Sequence, residues 1–191
     1  MGVRFHPDFA APIDINKIAY KGYEKLNQKY ISLIGSKILK EQLITLNGDT
    51  IKQDMFKGKV TVLNFFGIPC RGCVLEIPYL VKLKKHLKNK NVQIIGLTDI
   101  SSFDLVTYNA SKKIGPNAPQ DIMPQLPAFN YPVYNITRDQ MIKYFYINGY
   151  PYTFIIDKNG IVRFTDAGFP KEKEGKEIKY NKFINEIEKL L

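Results

Sequence analysis

Cysteine and histidine are scarce in this chain of 191 residues, which has two of each and no tryptophan. Two cysteines cannot build a disulfide-dense secreted scaffold or a zinc site of four cysteines. The histidines, His6 and His86, lie far apart and show no spacing typical of metal ligands. Their scarcity also removes most Ser-His-Asp and Cys-His nucleophile schemes. We therefore expect a protein that uses neither a metal ion nor an organic cofactor.

Long apolar runs are absent as well. No stretch of the sequence approaches the roughly 20 apolar residues of a membrane-spanning helix, which excludes an integral membrane protein for the chain as it stands. Residues 1–11 lack the apolar run of a secretory signal, so we expect any targeting segment to be missing from this chain. With 45% apolar and 24% charged residues, the composition is that of one globular domain.

Arginine is the rarer of the two strongly basic residues, although the chain carries 28 Lys and Arg against 18 Asp and Glu. The net charge of +10 makes nucleic acid a partner to consider. Base readout and bidentate phosphate binding favour arginine, whereas this chain has four arginines and its lysines are spread along its length. We interpret the charge as a lysine-rich solvated surface and expect no nucleic acid. An acidic partner or a membrane surface is the alternative.

The spacing of apolar residues predicts strands and helices that alternate along the first half of the chain. Apolar residues three and four apart across 12–34 predict an amphipathic helix. Asn47-Gly48 predicts a hairpin with positive φ at both turn residues. The run Val60–Phe66 is typical of a strand buried on both faces. With the helical pattern that follows and a second buried strand, Val92–Leu97, it predicts a right-handed βαβ unit.

The second half of the chain is less regular. Four prolines interrupt residues 101–130, the first part of which, 101–114, is predicted to be helical. Beyond it we predict a short strand, a short helix, a two-stranded hairpin and, after the charged stretch 171–179, a final amphipathic helix. In chain order these elements are Tyr131–Ile136, Arg138–Phe145, Tyr152–Ile156 with Ile161–Thr165, and Tyr180–Leu191.

Both cysteines fall in one motif, Cys70-Arg71-Gly72-Cys73, at the start of the helix of the βαβ unit. Two intervening residues in a first helical turn bring the sulfurs close enough to bond, and this placement is typical of a redox pair. The helix N-terminus and Arg71 favour a thiolate at Cys70. We predict that Cys70 is the exposed nucleophile and Cys73 the more buried resolving thiol. Two unreactive cysteines, or half of a metal site, are the alternatives.

The motifs around this pair occur in an order that resembles the thioredoxin-like superfamily and, within it, the TlpA/ResA type of thiol–disulfide oxidoreductases with an AhpC/TSA redoxin-like domain. The resemblance implies an α/β, thioredoxin-like fold with a central mixed β-sheet flanked by helices across 33–191. Residues 1–32 are then an N-terminal helical extension, a hairpin follows it, and 101–130 is an enlarged connection. The motifs are Leu33-Ile34-Gly35, Thr45–Thr50, Phe56–Val60, Val62–Phe66, the cysteines with Glu76 and Pro78, and Gly149–Gly160.

The resemblance also implies roles for residues near the cysteines. Glu76 matches an acidic residue close to the disulfide, and we expect it to accept the proton of Cys73. Pro151 matches a cis-proline beside the disulfide, which turns the Tyr150 backbone toward a substrate chain for strand-like pairing. A solvated helix glutamate and an ordinary trans-proline are the alternatives.

Pro69 and Arg71 flank the attacking thiol and complete the predicted substrate-binding residues. Two positions here depart from the family pattern. Pro69 stands where the family usually has tryptophan, and Gly72 stands where it often has proline. Both departures bear on the reduction potential of the pair.

The resemblance implies a thiol–disulfide oxidoreductase, of the reductase type, that works outside the cytoplasm behind a signal or lipoprotein anchor. Protein disulfides are the expected substrates, with apocytochrome c or copper-site proteins as examples. The expected electron donor is a membrane thiol carrier, and we expect a monomer.

Two other functions are alternatives. A peroxiredoxin-like peroxidase shares this fold, but its motif needs Pro and Thr or Ser before the peroxidatic cysteine. Those positions hold Phe66 and Cys70 for one cysteine, and Leu63 and Gly67 for the other. A non-enzymatic metal- or partner-binding module would use wider cysteine spacing and a downstream histidine, and no histidine follows His86.

Overall fold

The computed structural model of the chain describes residues 29–67, 70–99 and 127–191. These ranges contain seven strands, three complete α-helices and one 3-10 helix. In chain order they are β1 (Leu43–Ile44), β2 (Thr50–Ile51), a 3-10 helix (Gln53–Phe56), β3 (Val60–Phe65), α1 (Arg71–His86), β4 (Val92–Thr98), β5 (Val133–Asn135), α2 (Arg138–Phe145), β6 (Tyr152–Ile156), β7 (Val162–Ala167) and α3 (Lys173–Glu188).

Five of these strands form one mixed sheet in the order β5-β4-β3-β6-β7. Strands β3, β4 and β5 run parallel, whereas β6 and β7 pair antiparallel to their neighbours. All six residues of the central strand β3 are buried. The predicted α/β fold with a mixed central sheet, and the βαβ unit of β3, α1 and β4, are therefore confirmed.

Each face of the sheet carries its own apolar core, because successive strand residues point to opposite faces. Val60, Val62 and Phe66 point to the face covered by α1 and α3, and this core includes Cys73. We call it the disulfide face. Leu63 and Phe65 point to the other face, where α2 and the β1–β2 hairpin pack; we call it the aromatic face.

The hairpin of β1 and β2 is confirmed, but the predicted turn is wrong. Of Asn47 and Gly48, only Gly48 has a positive φ, of 85°. The Thr45 N–H donates to Asp49 O at 2.8 Å, and the Gly48 N–H donates to Thr45 O at 3.0 Å. Because the loop is longer than two residues, an ordinary turn with a single left-handed glycine closes it.

The C-terminal helix begins at Lys173, several residues before the predicted start at Tyr180. The prediction treats 171–179 as a charged stretch before the helix. Lysine and glutamate are good helix formers, and Glu174 in the first turn suits the helix dipole. The first turns therefore need little apolar contact, although Lys179 is buried there.

The other elements predicted beyond residue 130 are confirmed within a few residues, and α2 and β6 have the predicted bounds. Of the predicted helix 12–34, the structure describes only the end, where residues 29–31 are helical. Residues 1–28 of the extension, and 100–126 of the enlarged connection with its predicted helix, lie outside the described residues. In the described part of the chain, no helix is long and apolar enough to span a bilayer.

Candidate active site

The end of β3 delivers the cysteine motif to the start of α1. Phe66 continues the strand pairing by donating its N–H to Leu97 O at 3.0 Å, and the Cys70 N–H donates to Gly67 O at 3.1 Å. Cys70 is then the N-cap of α1, where its Sγ accepts the Cys73 N–H at 3.2 Å. The predicted place of the motif, at the N-terminus of a helix after a buried strand, is confirmed.

A disulfide joins Cys70 and Cys73. The two sulfurs differ in access, since Cys73 is 1% exposed whereas Cys70 is only partly buried. A sulfur at a helix N-cap lies at the positive end of the helix dipole, which favours its thiolate. An incoming thiol or disulfide therefore meets Cys70 first.

Glu76 lies one helical turn beyond Cys73 and is 1% exposed. Its Oε2 accepts a hydrogen bond from Asn64 Nδ2 at 2.8 Å, and Lys179 Nζ lies 3.6 Å from its Oε1. Burial raises the pKa of Glu76 to about 7, while the nearby Lys179 charge and the Asn64 hydrogen bond oppose that rise. The carboxyl group can therefore both hold and release a proton near neutral pH.

Asn64 anchors this carboxylate from the central strand. Its Nδ2 also lies 3.1 Å from Thr153 Oγ1 and 3.4 Å from Tyr152 O on the neighbouring strand β6. The amide therefore has polar neighbours on two elements, and its place is fixed by the sheet. The sequence analysis did not predict this contact between Asn64 and Glu76.

Pro151 packs against the cysteine motif from the start of β6. The Tyr150–Pro151 peptide bond is cis. A Cβ atom added to Gly72 would lie 3.4 Å from Pro151 Cδ and 3.8 Å from the backbone of Phe169. Pro151 O accepts the N–H of Gly168 at 2.8 Å. Gly168 and Phe169 follow β7, and we call Tyr150 and Pro151 the proline loop. Together these four residues form one wall beside the disulfide.

The Tyr150 ring fills the space next to Gly67, where an added Cβ would lie 2.9 Å from Tyr150 Cδ2. Its hydroxyl donates to Met141 Sδ at 3.0 Å. The Arg138 guanidinium lies over the ring, with Cζ 4.9 Å from the ring centroid. Arg138 Nη2 also donates to Asn148 O at 2.7 Å. Burial raises the pKa of Tyr150 well above its ordinary value. Arg138 therefore braces this loop, a role that nothing in the local sequence pattern indicated.

Two further predicted site residues flank Cys70. Arg71 is exposed as the first residue of α1. Pro69, predicted to bind substrate, lies outside the described residues together with Ile68. Across 29–67, 70–99 and 127–191, no group of three or more His, Cys, Asp or Glu side chains could hold a metal ion.

Comparisons with known proteins agree with this arrangement. The family model of the AhpC/TSA family matches residues 34–165. The thiol-disulfide oxidoreductase ResA of Bacillus cereus is 31% identical over 143 residues, which are 75% of this chain and 73% of that protein. ResA of Bacillus subtilis is 29% identical over 116 residues, which are 61% of this chain and 57% of that protein.

Solved structures share the fold. A thiol:disulfide interchange protein from a Bacteroides species superposes with a TM-score of 0.56 at 21% identity, covering 81% of this chain and 90% of that one. A thioredoxin family protein of the same description from Chlorobium tepidum gives 0.53 at 22% identity, covering 78% and 92%. At these identities the likeness concerns the fold alone.

Proposed function

Since this chain belongs to the AhpC/TSA family and is a thioredoxin-like thiol–disulfide oxidoreductase of the TlpA/ResA type, we propose that it reduces protein disulfides through Cys70 and Cys73. In the reduced enzyme, the Cys70 thiolate attacks one sulfur of the substrate disulfide. The substrate S–S bond breaks, a mixed disulfide forms, and one substrate thiolate leaves. Cys73 then attacks Cys70 Sγ, the second substrate thiolate leaves, and two electrons have passed to the substrate.

The different access of the two sulfurs supports these roles. Cys70 is the N-cap of α1 and partly exposed, whereas Cys73 is 1% exposed and lies within the apolar core. A protein substrate can reach only the outer sulfur, so the inner one is left to resolve the mixed disulfide. The enzyme leaves the cycle oxidised and needs a thiol donor to return to the dithiol form.

Glu76 takes the proton that Cys73 must lose before it attacks. Its Oε1 accepts no hydrogen bond within the described part of the chain, while Oε2 is held by Asn64. One oxygen is therefore held by a hydrogen bond, and the other, which lies 3.6 Å from Lys179 Nζ, can receive the proton. With a pKa raised by burial to about 7, the carboxylate is a better base for a thiol than an exposed glutamate.

The substrate docks along the wall beside the disulfide. The Tyr150 backbone at Pro151 offers strand-like pairing, and Arg71 is exposed beside Cys70. Pro69, which precedes Cys70 in the sequence, completes the proposed substrate-binding residues. The packing of Pro151 against Gly72 supports this placement, because Gly72 lies between the two cysteines.

Partners and location complete the proposal. The substrates are protein disulfides, of which apocytochrome c and copper-site proteins are the finer candidates, and a membrane thiol carrier supplies electrons. The protein works as a monomer outside the cytoplasm, either membrane-anchored or secreted. The likeness to ResA proteins supports this assignment.

The observation that carries the proposal is a partly exposed sulfur at a helix N-cap bonded to a buried one. The test is a trapping experiment with Cys73→Ser and Cys70→Ser and a disulfide-containing protein substrate. Cys73→Ser should accumulate a mixed disulfide through Cys70, and Cys70→Ser should not react. If the two variants trap substrate equally, the roles are wrong.

Two measurements on the unaltered protein complete the test. A reduction potential near thioredoxin's value of about −270 mV supports a reductase, whereas one near about −120 mV contradicts it. Peroxide turnover and copper binding, measured with the same protein, test the peroxidase and metal-module alternatives.

A further inference from the structure

Lys179 of α3 is one of the few charged side chains that the described residues bury, with an exposed fraction of 7%. Its Nζ lies 3.6 Å from Glu76 Oε1 and 3.8 Å from Asp166 Oδ2, and it donates a hydrogen bond to Gly168 O. A lysine is rarely buried unless its charge is paired. Here the ammonium group stands between the carboxylate behind the disulfide and the wall beside it.

We propose that Lys179 is the positioning residue for the Glu76 carboxylate and ties it to the proline loop that borders the disulfide. This inference rests on the proposed function, in which Glu76 accepts the Cys73 proton. It adds a residue from the C-terminal helix, which is remote in sequence from the cysteine motif.

The surroundings of Lys179 fix its ammonium group in place. The Phe169 and Phe183 rings lie 5.5 Å and 5.3 Å from Nζ, within the range of cation–π attraction. Removing an ammonium group from water is costly, and a buried ion pair is therefore poor at adding stability. The arrangement is better explained by what the charge does to Glu76.

A short chain of contacts joins Glu76 to Pro151 through Lys179. The lysine pairs with Glu76 Oε1 and donates to Gly168 O, and the Gly168 N–H donates to Pro151 O at 2.8 Å. The carboxylate that takes the proton and the loop that receives substrate are thus held by the same side chain. Losing the lysine charge should loosen both.

Within the described residues, few other polar groups lie near the carboxylate. Asn64 reaches it from β3, and Asp166 on β7 faces Lys179 and raises the pKa of Glu76. Lys182, one helical turn further along α3, lies 3.7 Å from Asp166 but is half exposed. Lys182 shares the helix and the acidic neighbour of Lys179, so it provides a matched control.

The test compares Lys179→Met with Lys182→Met in the full chain. The side-chain carboxyl carbon of Glu76 is followed by NMR while the pH is raised, with the disulfide intact so that no thiol titrates. Lys179→Met should raise the pKa of Glu76 by about one pH unit or more, because an opposite charge nearby is lost. Lys182→Met should leave it in place, and Lys179→Arg should restore it.

A second readout links the carboxylate to the reaction. The rate at which the mixed disulfide is resolved depends on pH. In Lys179→Met, the midpoint of this pH profile should shift upward by the same number of pH units as the pKa of Glu76. In a Glu76→Gln background, adding Lys179→Met should shift nothing further. That double variant removes both buried charges and should fold even where a single variant does not.

An unchanged Glu76 titration in Lys179→Met overturns the inference, even if turnover falls. An equal shift in Lys182→Met overturns it too, because a general loss of positive charge would then suffice. A shifted titration with an unchanged rate of resolution supports the pairing of Lys179 with Glu76. That same result contradicts the proposed role of Glu76 as proton acceptor.

Discussion

The two faces of the central sheet differ in whether they bury charged side chains. On the aromatic face, Phe65 packs against Phe145 and Phe154 with ring centroids 4.8 Å and 5.5 Å away. On the disulfide face, an apolar core of similar extent encloses Glu76 and Lys179. One face is built from contacts that only stabilise. The other keeps two charges out of water directly behind a redox pair.

This difference indicates that the disulfide face carries the functional site. Ring contacts and apolar burial each contribute to folding at every pH. A buried carboxylate with a raised pKa does the opposite, because its ionisation opposes folding. A charge retained at such a cost marks a functional site more reliably than exposure or an open pocket does.

The largest effect is expected on the aromatic face. Phe65→Ala should lower the free energy of unfolding by roughly 3–5 kcal/mol, because it removes a fully buried ring and leaves a cavity. Urea unfolding at low and neutral pH measures it, and the loss should be equal at both. Phe65→Leu, which keeps most of the volume, should lose less and allow the folded state to be assayed. A change in the alkylation rate of Cys70 in the leucine variant would show that the two faces are coupled.

Glu76→Gln should give the opposite pattern on the disulfide face. Because the folded pKa is raised from 4.5 to about 7, the wild type is fully stabilised below about pH 4.5 and loses that stability as pH rises through 7. Glutamine does not titrate. As the pH rises from about 4.5 to 7, the free energy of unfolding of the variant should therefore increase by about 3 kcal/mol relative to that of the wild type. This figure counts about 1.4 kcal/mol for each unit of pKa shift.

The measurement is urea unfolding of both proteins with the disulfide intact. Lys179 keeps Gly168 O and Asp166 as partners in the variant, so the folded state should persist. Stability curves that stay parallel across this pH range would mean that Glu76 titrates like an exposed glutamate.

Much of this comparison could be predicted from the sequence. The β-branched and aromatic run of β3 indicated a strand buried on both faces, and its position before Cys70 placed the cysteines at a helix N-terminus. These features are local, because they depend on residue spacing within one or two elements. The βαβ unit and the mixed sheet followed from them and from the resemblance.

The partners of Glu76 could not be predicted. Lys179 lies in a charged stretch that has the composition of a solvated surface, and its burial depends on how α3 packs across α1. Asn64 is polar within an apolar strand, which was a signal, but the strand does not reveal which side chain it meets. Contacts between elements far apart in sequence need the fold itself.

Gly67→Ala should have a smaller effect and should act on the wall rather than on either core. The added Cβ would lie 2.9 Å from Tyr150 Cδ2, so the ring must move. We expect a loss of about 1–3 kcal/mol, typical of overpacking, with slower reduction of a protein substrate. Gly72→Ala is the control for the loss of stability alone, because its Cβ would meet Pro151 Cδ at 3.4 Å. If the two variants behave alike, the fit of Tyr150 against Gly67 is unimportant.

The smallest effect separates surface charge from buried charge on the disulfide face itself. Arg71 is exposed at the first position of α1, so its attraction for the Cys70 thiolate passes largely through water. Arg71→Gln should slow alkylation of Cys70 about two- to threefold at low salt, and the difference should vanish at high salt. Lys85→Gln, at the other end of the same helix, should not change the rate of alkylation at either salt concentration.

The stability that Glu76→Gln gains at neutral pH should persist in high salt, because ions do not enter the site in which that carboxylate is buried. An Arg71 effect that resists salt would mean that this charge also acts at close range on Cys70, and the contrast between surface and interior would fail.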